Sequence, residues 1–477
     1  MKKAILLFFV LTVSSFAKSF SQNFPDTEWE KNEYPELSGW DKEKLGAIRE
    51  YVVDSTATTG MLLIHNGKIV FEYGDLTENS YIASCRKSIL AMLYGKHVKN
   101  GTIDLDISLE DLRIPETELL TGIEKKATIK DIISSRSGVF LPAANGGDLQ
   151  NLAPERGSVN PGEFWLYNNW DFNMAGYIFE KETGKNIYDD IQTQFAIPLQ
   201  MQDWNRSLQE KGENPVVTEI SAYHMWFSTR DMARLGLLML NNGKWNDTQV
   251  IEKDWVSEMT TPKTSFEEID KIAPFYREGG ALYSYGYMWW LWEDPDNNML
   301  KGAYSAQGAW GQNITVFPEM KTVLVIKTND LYERRKGSHN RIIYDLTKSY
   351  DQESAKPFED LFNSLNGNDI SKIFTAVTAL NKKKLSADLQ DILNKKGYDY
   401  LSSKDFERAL RLFEFNVAQY PNAWNLYDSL GEGYFISGDF ENALKNYRKA
   451  IELNTQNQYN FNDRTKHIIK RIEVMLD

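Results

Sequence analysis

Ser84-Cys85-Arg86-Lys87-Ser88 opens a helix-forming apolar run, Ile89-Leu90-Ala91-Met92-Leu93-Tyr94, that continues to Asn100-Gly101. A serine at a helix start with a lysine three residues on puts hydroxyl and amine on one face, one turn apart. A serine hydroxyl is a poor nucleophile at neutral pH and needs a base beside it. A desolvated lysine can lose its proton and serve as that base. Taken alone the tetrapeptide is a weak signal, because S-x-x-K arises by chance roughly twice in a chain of this size. Its weight comes from the residues around it.

Upstream, Asp41 to about Ser55 carries Leu45, Ile48, Tyr51 and Val52 on one helical face. Met61 to Tyr73 reads as a β-hairpin, its two apolar runs flanking His65-Asn66-Gly67-Lys68, a type I′ turn signal. Downstream, Thr128 opens a capping box whose helix is expected to end at Gly138. Asn169 to about Lys181 reads as a helix, and Ser228-Thr229 caps another that stops at Asn241-Asn242-Gly243. Tyr285 to Trp292 is aromatic and strand-prone. Asn313–Phe317 and Thr322–Lys327 flank Pro318-Glu319-Met320-Lys321 as a second hairpin, and a helix near 342–348 closes the region. Strands at both ends with helices between them predict an α+β fold: an antiparallel sheet flanked by helices, with a helical insert.

Two further segments carry candidate chemistry. Tyr167-Asn168-Asn169 follows Pro161-Gly162 and immediately precedes a helix. A phenol near an ammonium can relay a proton, and an asparagine amide can hold a substrate carbonyl. Each also has a structural reading, as a buried tyrosine and a helix cap at Asn169. Ala306-Gln307-Gly308-Ala309-Trp310-Gly311-Gln312 leads into the last hairpin. Its glycines allow close approach to strand backbone. The backbone N–H after Gly308, at Ala309, and that of Ser84 could form a two-donor oxyanion hole.

Together these elements resemble the serine β-lactamase and penicillin-binding-protein superfamily. The resemblance is strongest to its class C-like branch of carboxylesterases and 6-aminohexanoate-dimer hydrolases, and covers about residues 35–350. Ser84-x-x-Lys87-Ser88 matches the S-x-x-K signature. Ile132-Ile133-Ser134-Ser135-Arg136-Ser137-Gly138 is similar to the L-L-x-x-x-S-G segment, and the run from Pro161 to Asn169 to P-G-x-x-x-x-Y-x-N. Thr229-Arg230-Asp231-Met232-Ala233-Arg234-Leu235-Gly236 is similar to the T-x-R-D-M-A-R helix. The resemblance implies a β-lactamase/transpeptidase-like fold and a covalent acyl-enzyme. In it Ser84 attacks, Lys87 and Tyr167 move the proton, and Asn169, Gln307, Gly308 and Ala309 bind substrate. One departure matters. Where the family's third motif begins with Lys or His, this chain has Ala306-Gln307-Gly308; Lys327-Thr328-Asn329 and Lys263-Thr264-Ser265 lack the glycine. A missing cation weakens recognition of a substrate carboxylate. The expected substrate is therefore a small ester or amide rather than a β-lactam or a D,D-peptide.

Composition sets the remaining limits. With 477 residues and 42% hydrophobic content the chain can build two or three domains. A net charge of −13 argues against nucleic acid or an anionic membrane surface as main partner. Lys2-Lys3, the apolar run from Ala4 to Val13 and Ser14-Ser15-Phe16-Ala17 read as a signal peptide over 1–22, implying a periplasmic or secreted protein. No later segment reads as a membrane span. The single cysteine, Cys85, excludes an intrachain disulfide and is expected to lie buried beneath the site. Five histidines show no metal-ligand spacing, so no metal or cofactor is called for. Six tryptophans, 165, 170, 226, 289, 290 and 310, are expected to be mostly core, with one or two in a cleft.

After the hydrolase-like region, 23–352, strand signals vanish. A helical linker is expected over 353–390 and an all-α tetratricopeptide-type domain over 391–477. Lys404-Asp405-Phe406-Glu407-Arg408-Ala409-Leu410 recurs 34 residues later as Gly438-Asp439-Phe440-Glu441-Asn442-Ala443-Leu444, with Gly397 and Tyr400 recurring as Gly431 and Tyr434. That period resembles the tetratricopeptide repeat and implies a protein or peptide partner at the repeats.

Overall fold

Asn66 and Gly67 both take left-handed backbone angles, φ 49° and 77°, the turn their sequence demands. They join β1 (Thr58–His65) to β2 (Lys68–Gly74). The computed structural model describes residues 24–32, 35–147, 149–328, 339–366, 369–382, 386–456 and 461–476; the signal peptide expected at 1–22 lies outside them. The chain divides into two compact units, 1–32 with 46–347 and 33–45 with 348–477.

In the first unit, β1 pairs on its far side with β10 (Thr322–Thr328), Met61 opposite Ile326 and Leu63 opposite Leu324. Both faces of this pair are covered, so Met61 to Ile64 and Val323 to Ile326 are almost wholly buried, which is why these strands read as apolar runs rather than alternating patterns. The sheet continues through β9 (Gln312–Phe317), β8 (Tyr304–Gly308), β7 (Trp290–Trp292) and β6 (Tyr283–Tyr285). Its order is β2-β1-β10-β9-β8-β7-β6, with every neighbour antiparallel. The first hairpin thus closes against the last strand of the unit, and the chain between them forms the helical insert.

Two local expectations change. Tyr285 to Trp292 is not one strand: Trp290 pairs with Tyr285 across a turn in which the Gly286 N–H donates to the Trp289 carbonyl at 2.9 Å. A Cβ on Gly286 would lie 2.0 Å from the Met259 carbonyl oxygen, so this one glycine sets the turn inside an aromatic run. The Thr128 helix, α3 (Ile129–Ile133), stops well short of Gly138, because Ser135 takes φ 59°. Its capping box with Asp131 is present.

The other helices follow their caps. α1 (Lys42–Ser55), α2 (Cys85–Lys99), α4 (Asn169–Thr183) and α5 (Thr229–Leu240) match the periodic segments. The Ser228 side chain accepts from the Asp231 N–H at the start of α5. α5 lies on the sheet at Gly236, where a Cβ would meet Val323 Cγ1 at 2.4 Å. Two short strands, β3 (Ser80–Tyr81) and β5 (Trp226–Phe227), pair with each other ahead of α2, and β4 (Ala222–His224) precedes β5. α6 (His339–Ser349) ends the region.

The second unit is helical: α7 (Gln352–Asn366), α8 (Ile370–Lys382), α9 (Ser386–Ser402), α10 (Phe406–Gln419), α11 (Trp424–Ser437), α12 (Phe440–Leu453) and α13 (Phe461–Leu476). The segment expected as a linker, 353–390, does not connect two separate cores. Leu361, Ile373, Val377 and Leu380 share one core with Leu393, Tyr400, Leu412 and Phe413, because α7 and α8 present apolar faces that only neighbouring helices can cover. The 34-residue repeat has a physical basis. Asp405 and Asp439 cap α10 and α12 through the N–H groups of Arg408 and Asn442. Gly397 lies against the Phe413 ring, as Gly431 does against the Tyr447 ring. No described helix is long and apolar enough to cross a membrane.

Candidate active site

Ser84 is half-buried at the N-terminus of α2, with φ −75°. The chain reaches it through an elbow: the Ile82 N–H bonds the Met225 carbonyl at 3.0 Å, and Ala83 then takes φ 46°. An alanine in that region is strained, and surrounding structure must impose it. The Lys87 N–H returns to the Ser84 carbonyl at 3.0 Å, starting the helix. Among the described residues the Ser84 N–H makes no backbone hydrogen bond, which leaves it available as an oxyanion donor.

Lys87 is only 1% exposed. Its Nζ donates to the Tyr167 hydroxyl at 2.8 Å and lies 4.1 Å from the centres of both the Tyr167 and Phe172 rings. Burial pushes the Tyr167 phenol up from its ordinary range, while a hydrogen bond with Ser84 and the charge of Arg86 pull the other way. Lys87 and Tyr167 are therefore a hydrogen-bonded pair, and Ser84 lies beside the phenol. The Tyr167 ring is held by Phe172 at 4.8 Å and Trp290 at 5.3 Å. Its place ahead of α4 follows from Asn168, which caps the helix at the Trp170 N–H and donates to the Val139 carbonyl at 2.6 Å.

Asn169 is placed differently from the substrate-holding role expected of it. It is buried in the first turn of α4, and its Nδ2 donates to the carbonyls of Gly146, 2.8 Å, and Asn145, 3.3 Å. It ties down the Asn145-Gly146-Gly147 loop. The same loop is held from below, where Asn173 Nδ2 donates to Asn145 Oδ1 at 3.0 Å and Asn173 Oδ1 accepts from Arg86 at 3.1 Å. The Ser137 hydroxyl donates to Asp171 Oδ1 at 2.6 Å, fixing the 134–138 segment to α4; burial holds that carboxyl well above its usual range.

The third segment comes to the site through Gly308. A Cβ there would meet the Ile82 carbonyl oxygen at 2.6 Å and the Ala83 Cβ at 3.1 Å. The end of β8 therefore lies against the elbow before Ser84, with Gln307 and Gly308 half-buried and Ala309 exposed. The Gln307 amide lies near the Tyr283 phenol, whose pKa burial raises. Its Nε2 is buried with no partner among the described residues. Beyond it Trp310 takes φ 64° and Gly311 φ 101°, the latter so close to His339 that a Cβ would lie 1.7 Å from its ring.

The surroundings match part of what composition suggested. Trp165, Trp170, Trp289 and Trp290 are core. Trp226 is half-buried and Trp310 is 48% exposed, and both rings approach Tyr81, three residues before Ser84, at 5.3 and 6.3 Å. Cys85 is fully buried, its thiol donating to the Ala306 carbonyl at 3.5 Å, and burial pushes its pKa up. It lies under β8 and is no nucleophile. His224 bonds the Tyr81 hydroxyl at 2.9 Å, and burial with the charge of Arg86 lowers its pKa to about 4.

Three residues with a hold on the site carried no sequence signal. Asn145 and Arg86 act through Asn173. Lys327, in a K-T-N run that lacks the motif's glycine, is buried on β10. Its Nζ donates to the carbonyls of Phe227, Glu78 (3.2 Å) and Ser80 (3.5 Å), stitching β3 and β5 to the sheet. The third residue of that run, Asn329, lies outside the described residues.

Several known proteins are similar to this chain. A candidate 6-aminohexanoate-dimer hydrolase from Bacillus anthracis shares 20% identity over 68% of this chain and 89% of its own, with a TM-score of 0.49. A class C β-lactamase from Rhodobacter sphaeroides shares 17% over 64% and 99%, with a TM-score of 0.45. An uncharacterized protein of Alkalihalophilus pseudofirmus is 22% identical over 297 residues, 56% of this chain and 82% of its own. The β-lactamase family profile matches residues 47–348, most of the chain and every element of the site, and the chain therefore belongs to the serine β-lactamase and penicillin-binding-protein superfamily.

Proposed function

We propose that this protein is an exported serine hydrolase that cleaves a small ester or amide through an acyl-enzyme on Ser84. The observation that carries the reading is the Ser84–Tyr167–Lys87 group, with Lys87 Nζ 2.8 Å from the phenol oxygen. In the first step the Ser84 oxygen bonds the acyl carbon while its proton passes to the Tyr167–Lys87 pair. The tetrahedral oxyanion is held by the N–H groups of Ser84 and Ala309. Collapse breaks the C–O or C–N bond, and the pair returns the proton to the leaving alcohol or amine. Water then adds to the acyl carbon by the reverse proton path, releasing the carboxylic acid and restoring Ser84.

The substrate class follows from the third segment. Gln307 stands where a cation would meet a substrate carboxylate, and an amide N–H suits a neutral carbonyl or hydroxyl. Trp226, Trp310 and Tyr81 would offer an apolar wall to the acyl group. The helical unit is read as tetratricopeptide-type repeats holding a protein or peptide partner outside the cytoplasm.

The test is turnover of short-chain p-nitrophenyl esters and of nitrocefin by the full-length protein beside Ser84→Ala. Ester turnover lost in the variant, with little nitrocefin hydrolysis, is expected. Strong nitrocefin turnover would move the substrate to β-lactams. No turnover and no fluorophosphonate labelling of the folded protein would make it a binding protein on a hydrolase scaffold.

A further inference from the structure

Each of the two oxyanion donors stands next to a residue in the left-handed region. Ala83, φ 46°, precedes Ser84, and Trp310, φ 64° and ψ 6°, follows Ala309. For a side chain as bulky as tryptophan this conformation is a genuine outlier, and it persists only where the surroundings impose it. Here they do. The Trp310 carbonyl accepts from Thr328 Oγ1 at 2.8 Å, and that hydroxyl is itself held by Gln312 Nε2 at 3.0 Å. The next residue, Gly311 at φ 101°, has no room for a side chain beside His339. Packing of the indole does not offset the strain, because Trp310 is the one exposed tryptophan among the described residues, at 48%. Backbone strain held in place beside a reacting atom, with the side chain left open, points to a ligand for that side chain.

The indole belongs to a wall of rings that are themselves only partly covered. Its ring centre lies 6.3 Å from that of Tyr81, which lies 5.3 Å from that of Trp226, and Tyr81 and Trp226 are both half-buried. His224 Nδ1 occupies the Tyr81 hydroxyl at 2.9 Å, so Tyr81 offers a ring face rather than a polar group. The wall grows from the segments that supply the oxyanion donors: Tyr81 leads into the elbow before Ser84, and Trp310 follows Ala309. A leaving group has to face the proton donor Tyr167, whose ring neighbours among the described residues are Phe172, Tyr285 and Trp290. None of these is in the wall. The wall therefore flanks the acyl group rather than the leaving group.

We propose that Trp310 is a specificity-determining residue: its fixed indole, with Tyr81 and Trp226, receives an aromatic ring carried on the acyl group of an uncharged ester or amide. Aromatic rings favour offset or edge-to-face ring partners, which three rings in one wall supply and an alkyl chain does not use. Gln307, three residues earlier, carries no charge, as an uncharged acyl group requires. The inference rests on the acyl-Ser84 reading and deepens it by naming the acyl class. Trp310 moves no proton; it holds the acyl group while Ser84 is acylated and released. A tryptophan kept only for the fold makes a different prediction. Glycine takes the same backbone angles without strain, so Trp310→Gly removes the ring and leaves the turn its conformation.

The experiment measures kcat and KM of the full-length protein on two ester series. One varies the acyl group on p-nitrophenol, phenylacetate against butyrate; the other varies the leaving group on acetate, phenyl against ethyl. Wild type, Trp310→Gly and Trp310→Phe are compared, with thermal unfolding and fluorophosphonate labelling of each. Trp310→Asn, which also tolerates these backbone angles, stands in if the glycine variant does not fold. Wild type is expected to favour phenylacetate over butyrate, and the ratio of their kcat/KM values to fall about tenfold or more in Trp310→Gly. The loss should lie mainly in KM, with Tm no lower than wild type, and Trp310→Phe should keep most of the preference. An unmoved ratio in Trp310→Gly, with or without a lower Tm or an equal loss on every ester, overturns the inference. So does a fall confined to the leaving-group series, or a wild-type protein that turns over esters and labels at Ser84 without preferring the aromatic acyl group; these outcomes leave the acyl-serine reading intact. A folded wild-type protein that neither turns over esters nor labels at Ser84 overturns both.

Discussion

The ammonium of Lys87 on α2 and the phenol of Tyr167 ahead of α4 meet at 2.8 Å, 80 residues apart in sequence, with Ser84 beside the same phenol. A lysine so buried needs a partner, and the tyrosine gives it one that can also pass a proton. Tyr167→Phe keeps the ring contacts with Phe172 and Trp290 and removes only the relay. Its acylation rate is expected to fall roughly 10²–10⁴-fold with little change in thermal unfolding. Wild-type labelling in that variant would assign the proton to Lys87 alone.

Gly308 works by having no side chain. Its Cβ would enter the Ile82 carbonyl at 2.6 Å and the Gln312 Cβ at 2.9 Å. Gly308→Ala must therefore push β8 away from the elbow that presents Ser84. The expected cost is about 1–3 kcal/mol in denaturant unfolding, together with a larger loss of acylation than the lost stability explains. Equal, small losses in both would mean the elbow tolerates the shift.

The parts of this protein that sequence makes legible are those governed by local rules. Asn66-Gly67 specifies its own turn, Thr128 and Ser228 their helix starts, and Ser84 with Lys87 share a face because helical geometry requires it. Pairing of the first hairpin with the last strand follows from the family resemblance and from no local feature. What stayed hidden depends on partners far away in the chain. Gly286 turns an aromatic run because of Met259, Asn169 faces a loop because of Gly146, and Arg86 and Lys327 matter through Asn173 and the carbonyl of Phe227. The helices at 352–382 read as a connector because an amphipathic face does not announce which neighbours will cover it.

Lys327 gives a pH signature. Burial lowers its pKa from 10.5 to about 8, so the folded chain sheds this proton before the unfolded chain does. Below about 8 both states hold the proton and the cost of burying the charge is fully present. Between about 8 and 10.5 only the unfolded state holds it, and folding stability rises with pH. Lys327→Met lacks this slope. Denaturant unfolding at pH 7.5 and pH 10 should therefore show the wild type gaining on the variant as pH rises. A gap that stays constant would mean the ammonium remains charged in the fold, held by the three carbonyls.

The helical repeats offer a paired test, because two equivalent glycines have unequal room. A Cβ on Gly397 would lie 2.3 Å from the Phe413 ring, whereas on Gly431 it would lie 3.0 Å from the Tyr447 ring. Alanine is the better helix former by about 1 kcal/mol, which offsets the mild contact at 431 and not the severe one at 397. Gly397→Ala is expected to destabilise its hairpin by about 1–3 kcal/mol, and Gly431→Ala to leave its own almost unchanged. Peptide-resolved hydrogen exchange on the full chain reads each hairpin separately: α9 and α10 should exchange about tenfold faster or more in the first variant, and α11 and α12 near wild-type rates in the second. Equal protection in both would show that the Phe413 ring can turn aside, and that the glycine at this register is kept by helix spacing alone.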